Sequence, residues 1–417
     1  MGRNQAVMKN ESNFARDLQC NSSFKWYSKN KGGIILLYRK FGKTKEMVSS
    51  LGFGCMRLPI IGADPTNIDE EKATDMIRHA IDAGVNYIDT AYPYHGTGFT
   101  RGGASELFVG RVLKDGYRQK VKLATKLPSW LIKTRDDMDK YLNEQLERLE
   151  TDSIDFYLVH SLNENVWPVL KEAGISEFLE QAIKDGRIKY AGFSFHDQIG
   201  LFKEIVDYYD WSFCQIQYNY LDEKYQAGRE GLEYAAKKGL GIVIMEPLRG
   251  GNIVNLPKEA IEIIDKADVK RTPAEWGLRW VWNHPEVSVV LSGMTTMDHV
   301  TENIKVAQEA EANSLTTKEL EIIDKVKNLF EERIKVNCTG CAYCMPCPAG
   351  INIPGCFSSY NDHWVFDATP AAKKTYELRS SLTAPASKCV ECGKCESHCP
   401  QGIPIRKELK NVKELFE

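Results

Sequence analysis

From Ser50 onward the chain alternates between two apolar spacings. Short runs rich in β-branched and aromatic residues are followed by longer stretches whose apolar positions recur every three to four residues. The first spacing marks strands buried on both faces, and the second marks helices with one apolar face. Eight strands are predicted: Gly52–Arg57, Asn86–Ala91, Val121–Lys126, Asp155–His160, Lys189–Ser194, Phe213–Tyr218, Gly241–Glu246 and Ser288–Gly293. Between them, helices are predicted over Asp69–Ala83, Thr134–Leu149, Ile175–Lys184 and Pro273–Asn283. Thr134 and Thr272 stand where an N-cap hydroxyl is favoured, and Pro273 takes a first-turn position that needs no N–H. Gly84 and Gly186 close the helices before them. Eight strand–helix pairs in succession argue for an α/β fold, a closed parallel (β/α)8 TIM barrel. An open doubly wound sheet is the alternative. It is disfavoured because no Gly-x-Gly-x-x-Gly follows the first strand.

Both ends break this rhythm. Residues 1–36 are expected to be a disordered or non-native extension, because residues 1–33 are polar and aperiodic. Lys31-Gly32-Gly33 could be encoded by a purine-rich ribosome-binding sequence, which would place the natural start near Leu37. The barrel is expected over 37–330, its last helix spanning Lys318–Leu329. A small second domain, rich in cysteine, is expected over 331–417, with a partly helical spacer over Cys356–Lys388. A length of 417 residues suits this division. The net charge of −3 supplies no basic field for nucleic acid, and no apolar run approaches the ~20 residues of a bilayer span. Without a secretory leader a cytoplasmic location is expected, where clustered cysteines bind metal rather than pair.

Nine of the twelve cysteines lie in that tail, eight of them in two runs that each end in Cys-Pro. The first is Cys338-x2-Cys341-x2-Cys344-x2-Cys347-Pro348; the second is Cys389-x2-Cys392-x2-Cys395-x3-Cys399-Pro400. The second has the bacterial iron–sulfur spacing, and in two-cluster ferredoxins the fourth cysteine of each run serves the other cluster. Cross-ligation would therefore place Cys338, Cys341, Cys344 and Cys399 on one [4Fe-4S] cluster, and Cys389, Cys392, Cys395 and Cys347 on another. Two clusters are expected and one at the least, with Cys356 as a substitute ligand for the irregular first run. Zinc is the rival metal for such pairs. Lys388, Lys394 and the stretch Lys407–Lys410 read as a solvated basic face, with a docking patch for an acidic redox partner as the alternative. Of the remaining cysteines, Cys20 lies in the extension, and Cys55 and Cys214 read as small apolar core residues.

In a parallel barrel the site lies where the strands end. The second predicted strand delivers Asp89, with Tyr94 close behind; the third delivers Lys126 and the fourth His160. A phenol of pKa about 10 is a poor acid at neutral pH. A neighbouring Lys⁺ stabilises its phenolate and lowers that value. The carboxylate keeps the lysine charged, and the imidazole can donate to a carbonyl oxygen. Tyr94 would then protonate that oxygen as hydride reaches the carbon. Each residue taken singly has an ordinary alternative: Asp89 as a turn cap, Lys126 as a solvated strand end, His160 as a core histidine, and Tyr92 as the working phenol.

The stretch from Leu37 to Leu329 resembles the aldo/keto reductase family. The resemblance rests on Leu51-Gly-Phe-Gly-Cys-Met-Arg57-Leu58, Ile88-Asp89-Thr-Ala-Tyr-Pro-Tyr94 and Ala124-Thr-Lys126. It continues through Leu146-Glu-Arg-Leu-x-x-Asp152 into Leu158-Val-His160. It implies a catalytic tetrad of Asp89, Tyr94, Lys126 and His160, with Ser194 and Gln215 near a nicotinamide amide. Phe195 stands where the family has Asn, and Met245 where an aromatic stacks on nicotinamide. After the last strand the family often carries a Lys-Ser pair and an Arg that grip a 2′-phosphate. Here Ser292, Gly293 and Asn303 are the expected contacts, the Gly293 backbone offering a donor to a diphosphate. Without the cations a 2′-phosphate loses its charge-assisted partners, which leaves both NADH and NADPH open. With the cysteine tail, the resemblance is to the ferredoxin-fused (4Fe-4S) branch.

The expectation is an iron–sulfur oxidoreductase that moves hydride between a nicotinamide and a small carbonyl or alcohol. Its expected partners are that small molecule and a redox protein, flavoprotein or ferredoxin, with neither nucleic acid nor membrane. A flavin enters only by elimination, to join two-electron hydride to one-electron clusters, and no flavin fingerprint is present. The alternatives are an electron-carrier or partner-binding subunit with a degenerate barrel and structural clusters, motivated by Phe195, Met245 and Ser292, and a zinc-stabilised binding module.

Overall fold

The structure, a computed structural model, describes residues 18–21, 25–29, 35–338, 340 and 343–417. Among the described residues there are twelve strands: β1 (Leu18–Asn21), β2 (Lys25–Lys29), β3 (Ile35–Lys40), β4 (Met47–Ser49), β5 (Leu51–Gly54), β6 (Tyr87–Asp89), β7 (Lys122–Leu127), β8 (Ile154–Leu162), β9 (Ile188–Phe195), β10 (Phe213–Gln217), β11 (Gly241–Met245) and β12 (Val287–Ser292). Strands β5 to β12 follow one another around a closed barrel, every neighbouring pair parallel, with β12 returning to β5. All eight predicted strands are there, each overlapping its expected range.

The intervening helices are α1 (Glu70–Asp82), α2 (Ala104–Val112), α3 (Arg135–Arg148), α4 (Trp167–Glu172), α5 (Ile175–Lys184), α6 (Ile199–Tyr208), α7 (Gly228–Lys237), α8 (Lys258–Ile264), α9 (Pro273–Trp282) and α10 (Met297–Ala307). The predicted caps form. Thr134 and Asp137 make a reciprocal capping box at the start of α3, and the Thr272 hydroxyl accepts from Glu275 N at 3.1 Å at the start of α9.

Aromatic side chains fill the barrel's N-terminal end. Phe41, from the turn between β3 and β4, lies 4.4 Å from the Phe156 ring and 5.3 Å from Phe213, and packs with Tyr87 and Val289. Burying one such ring contributes about 1.5–3 kcal/mol. The chain behind it needs glycine: Gly42 has φ +54°, and a Cβ there would lie 2.2 Å from Gly241 N.

Two differences from the sequence reading appear. Most of the extension 1–36 lies outside the described residues, but Leu18–Asn21 and Lys25–Lys29 are strands, not irregular chain. They add antiparallel to β3, in the order β1-β2-β3-β4. An edge strand presents unpaired N–H and C=O groups, and strand addition satisfies them whatever the side chains.

The second is a spatial grouping that the sequence reading does not contain. The chain groups into two compact units: one up to Pro247 plus Gly277–Leu315, the other Leu248–Trp276 plus Thr316–Glu417. The second unit holds α8, α11 (Thr317–Arg333), α12 (Ile353–Phe366), α13 (Thr369–Leu382), α14 (Lys394–Ser397) and α15 (Ile405–Phe416). The spacer, expected to be partly helical, is mostly two 14-residue helices, α12 and α13. Helix α11 packs on α8, and α12 packs on α13 and α15. Two arginines tie the Leu248–Trp276 excursion to the tail. Arg249 pairs with Asp362 at 3.1 Å, and Arg333 bonds Glu259 at 3.2 Å and Trp364 O at 2.9 Å. Among the described residues no helix is long and apolar enough to cross a membrane.

Candidate functional site

The four residues expected at the barrel mouth come together. Asp89 ends β6, Lys126 stands near the end of β7, His160 lies on β8, and Tyr94 sits on the turn after β6. Lys126 is fully buried and donates to both Asp89 carboxylate oxygens at 2.7 Å and to Thr90 O at 2.8 Å. Three acceptors match its three donors, the condition under which an ammonium is tolerated inside. Its Nζ lies 3.4 Å from Tyr94 Oη and 4.9 Å from the centre of that ring. The Tyr94 ring stands edge-on to His160 at 6.2 Å.

Electrostatics sort the four. Burial opposes the charge of Lys126, but Asp89 and Tyr94 more than offset it, so the ammonium is held above its ordinary value. Burial pushes the Asp89 carboxyl up while Lys126 pulls it back. Burial also raises the Tyr94 phenol, and the pull of Lys126 only partly counters this. The expected lowering of that phenol is therefore present as a force but outweighed by desolvation. Burial, then Lys126 and His196, hold the His160 imidazole well below its usual range, so it is neutral at neutral pH. The Tyr92 hydroxyl donates to Glu144 at 3.0 Å, and burial and that carboxylate raise it to about 12.

A second buried network, invisible to motif reading, stands behind Lys126. Gln145 donates to Lys126 O at 3.0 Å and to Glu106 at 2.7 Å. Glu106 also accepts from Thr125 at 2.6 Å and from Arg148 Nε at 2.9 Å. Burial raises the Glu106 carboxyl against these donors. The signal in sequence was Gln145 and Arg148, three apart, a polar pair on the inner face of α3.

Around the mouth, Trp130 lies 5.2 Å from His160 and donates to Phe99 O at 2.7 Å. Ser194 and Gln215 are register partners on β9 and β10. Ser194 Oγ accepts from Ser161 N at 2.7 Å, and Gln215 Nε2 lies 3.6 Å from Met245 Sδ. Gln215 Oε1 and His160 Nδ1 are buried without a partner among the described residues. Phe195 points outward onto Phe202, 5.1 Å away, as strand alternation demands after an inward Ser194. Ser292 and Asn303 bond each other at 2.9 Å, so both side chains are engaged. Arg57 lies over Gly293, where a Cβ would meet it at 3.0 Å, and pairs with Glu246 at 3.2 Å. Cys55 and Cys214 are buried core thiols, as expected.

In the second unit the cysteines line two cavities. Cys338, Cys344 and Cys399 share one with Ile353, Phe357 and Ile403. Cys347, Cys389, Cys392 and Cys395 share the other with Ile353, Arg406 and Leu409. The fourth cysteine of each run thus stands with the other run's set. Cys341 lies outside the described residues. Cys356 is absent from both linings; it is buried in the apolar core, where desolvation first of all pushes its thiol up to about 12.

Residues 50–328 match the model of the aldo/keto reductase family. The chain belongs to that family. Residues 337–403 match the 4Fe-4S dicluster domain, which places this reductase in the ferredoxin-fused branch. It is 28% identical over 300 residues to a probable aldo-keto reductase 1 of Glycine max, covering 64% of this chain and 82% of that one. It is 26% identical over 309 residues to the uncharacterized oxidoreductase YrpG of Bacillus subtilis, covering 65% and 91%. Among solved structures it is similar to the holo form of aldo-keto reductase AKR11C1 from Bacillus halodurans. That likeness has a TM-score of 0.57 and 26% identity, over 70% of this chain and 96% of the other. This member of the family is an oxidoreductase with a 4Fe-4S domain.

Proposed function

We propose that the barrel mouth transfers hydride between a nicotinamide cofactor and a small carbonyl or alcohol, and that the two cysteine sets hold two [4Fe-4S] clusters that exchange single electrons with a redox protein. The observation that carries the first part is Lys126, fully buried, held by both Asp89 oxygens at 2.7 Å and 3.4 Å from the Tyr94 hydroxyl. When bound, the nicotinamide supplies or accepts the hydride and the clusters supply or accept single electrons.

The chain's own residues do the rest. Tyr94 Oη donates its proton to the substrate oxygen as charge develops there. Lys126 stabilises the phenolate left behind, and Asp89 and Thr90 O fix the ammonium so that no reorganisation is needed. Neutral His160 donates a hydrogen bond to the same oxygen and orients it. The unpartnered Gln215 Oε1 suits the N–H₂ of a carboxamide, with Ser194 beside it. Gly293 offers a backbone donor to a diphosphate, while Ser292 and Asn303 shape that turn through their mutual bond. Neither Ser292 nor Asn303 is cationic, so neither gives a 2′-phosphate a charge-assisted partner, and NADH is tried beside NADPH. The cysteine sets fit iron because thiolates are soft and anionic. A separate redox protein, flavoprotein or ferredoxin, follows from the mismatch between hydride and single electrons. The expected setting is the cytoplasm, where such thiols stay reduced.

The test uses protein purified without oxygen, with NADH or NADPH and small aldehydes, followed at the nicotinamide absorbance. Tyr94→Phe is expected to lower kcat by about 10²–10⁴-fold with unchanged iron content. A Tyr94→Phe variant with full activity would remove the assignment.

A further inference from the structure

Electrons exchanged through the cysteine unit must cross its surface, and the second cysteine set reaches that surface. Cys392 is exposed, and its neighbour Val390 keeps 67% of its surface in solvent. Lys388 precedes Cys389, Lys394 precedes Cys395, and Arg406 of α15 lines the same cavity. Over residues 388–410 five Lys and Arg (388, 394, 406, 407, 410) stand against three Glu (391, 396, 408), in a chain whose net charge is −3. Two of those glutamates are already matched, Glu391 by Lys410 at 3.0 Å and Glu396 by Arg406 at 2.8 Å. Lys388, Lys394 and Lys407 are exposed and form no ion pair among the described residues. A surplus of positive charge therefore accompanies, along this stretch of chain, one bare apolar residue and one exposed ligand-type cysteine.

Lysines placed only to offset the charge of a buried anionic centre would turn inward, because charges that face water interact weakly across it. Outward ammonium groups instead act at a distance on an approaching partner, raising its encounter rate and setting its orientation. A small apolar centre with a charged rim is the anatomy of a transient contact.

We propose that this face, Val390 and Cys392 ringed by Lys388, Lys394 and Lys407, docks an acidic one-electron carrier protein. The proposal rests on the reading that the second cysteine set holds a redox cluster. One electron crosses per encounter: the carrier is oxidised by one electron as the cluster is reduced by one, or the reverse, and no bond or proton moves. The basic stretch that reads in sequence as a merely solvated face becomes the port.

The test uses the full-length protein, prepared anaerobically, with a reduced acidic flavodoxin as the probe. Two readouts are taken, the rate at which cluster absorbance bleaches and the sites of zero-length lysine–carboxylate cross-links. The expected result is a second-order rate that falls about tenfold or more between about 20 and about 500 mM salt. A triple variant, Lys388→Gln with Lys394→Gln and Lys407→Gln, should lose about tenfold at low salt and become nearly insensitive to salt, while dithionite still reduces its clusters fully. Cross-links should fall on Lys388, Lys394 or Lys407. A rate that rises with salt, an unchanged triple variant, or cross-links confined to other lysines would overturn the docking face. Clusters that dithionite itself cannot reduce would instead overturn the redox reading beneath it.

Discussion

At the barrel mouth, Lys126, Asp89 and Thr90 O satisfy one another within 2.8 Å. In the second unit, three described cysteines share one cavity and four share the other, and none forms a disulfide. The first region is an arrangement of opposite charges that stabilises itself. The second collects groups of one kind, which in the function proposed above would bind a metal cluster as thiolates. A site built of complementary protein groups is formed by folding alone. A site built of like ligands couples folding to metal, because the binding free energy of the metal becomes folding free energy.

The comparison is most exposed to iron removal. Chelation, or Cys389→Ser, is expected to collapse amide protection across α12 and α15, whose Ile353 and Leu409 line the cysteine cavities, while β7 keeps its protection. Hydrogen exchange read by mass spectrometry checks this; equal protection in both regions would erase the distinction. Next in size, Lys126→Met leaves Asp89 charged and buried, at a cost of about 3–5 kcal/mol, with iron content unchanged. Urea melts of the two proteins give that difference. Arg148→Met removes the one cation that bonds Glu106 but leaves Thr125 and Gln145 as donors. A loss of about 1–3 kcal/mol is expected, with a smaller effect on the reaction than Lys126→Met.

The smallest effect is one of pH. The folded state holds His160 well below its ordinary 6.5. As pH falls through that value, the unfolded chain takes up a proton that the folded chain refuses, so stability declines toward acid. The slope is at most about 1.4 kcal/mol per pH unit. His160→Gln should flatten the stability curve below pH 6.5 by that increment; an unchanged slope would mean that the imidazole titrates normally.

Much of this was legible in the chain. The eight strands were readable because each is buried on both faces and so forms a continuous apolar run, as Val287–Ser292 does. Asp89, Tyr94, Lys126 and His160 were readable because a parallel barrel brings successive strand ends to one mouth. Cys399 lines a cavity with Cys338 and Cys344, an arrangement in keeping with the crossed fourth cysteine of two-cluster ferredoxins. What stayed hidden depends on through-space partners. The bond from Gln145 to Lys126 O joins a helix to a strand, and nothing local announces it. The outweighing of Lys126 by desolvation at Tyr94 is a matter of degree, set by packing. The Ser292–Asn303 bond turned two expected ligand contacts toward each other. The strands at Leu18–Asn21 and Lys25–Lys29 arise from backbone pairing, to which side-chain periodicity is blind.

The path of the chain between β11 and β12 has a further consequence. Leu248–Trp276 is encoded inside the barrel, yet it packs with Thr316–Glu417, through α8 on α11 and through Arg249 and Arg333. A gene cut after Leu315 would orphan that excursion, stripping α8 of its neighbour and Arg249 of Asp362. Truncation at that point would therefore be felt inside the barrel's own sequence, at α8 and at Arg249, and not only at the end of the chain.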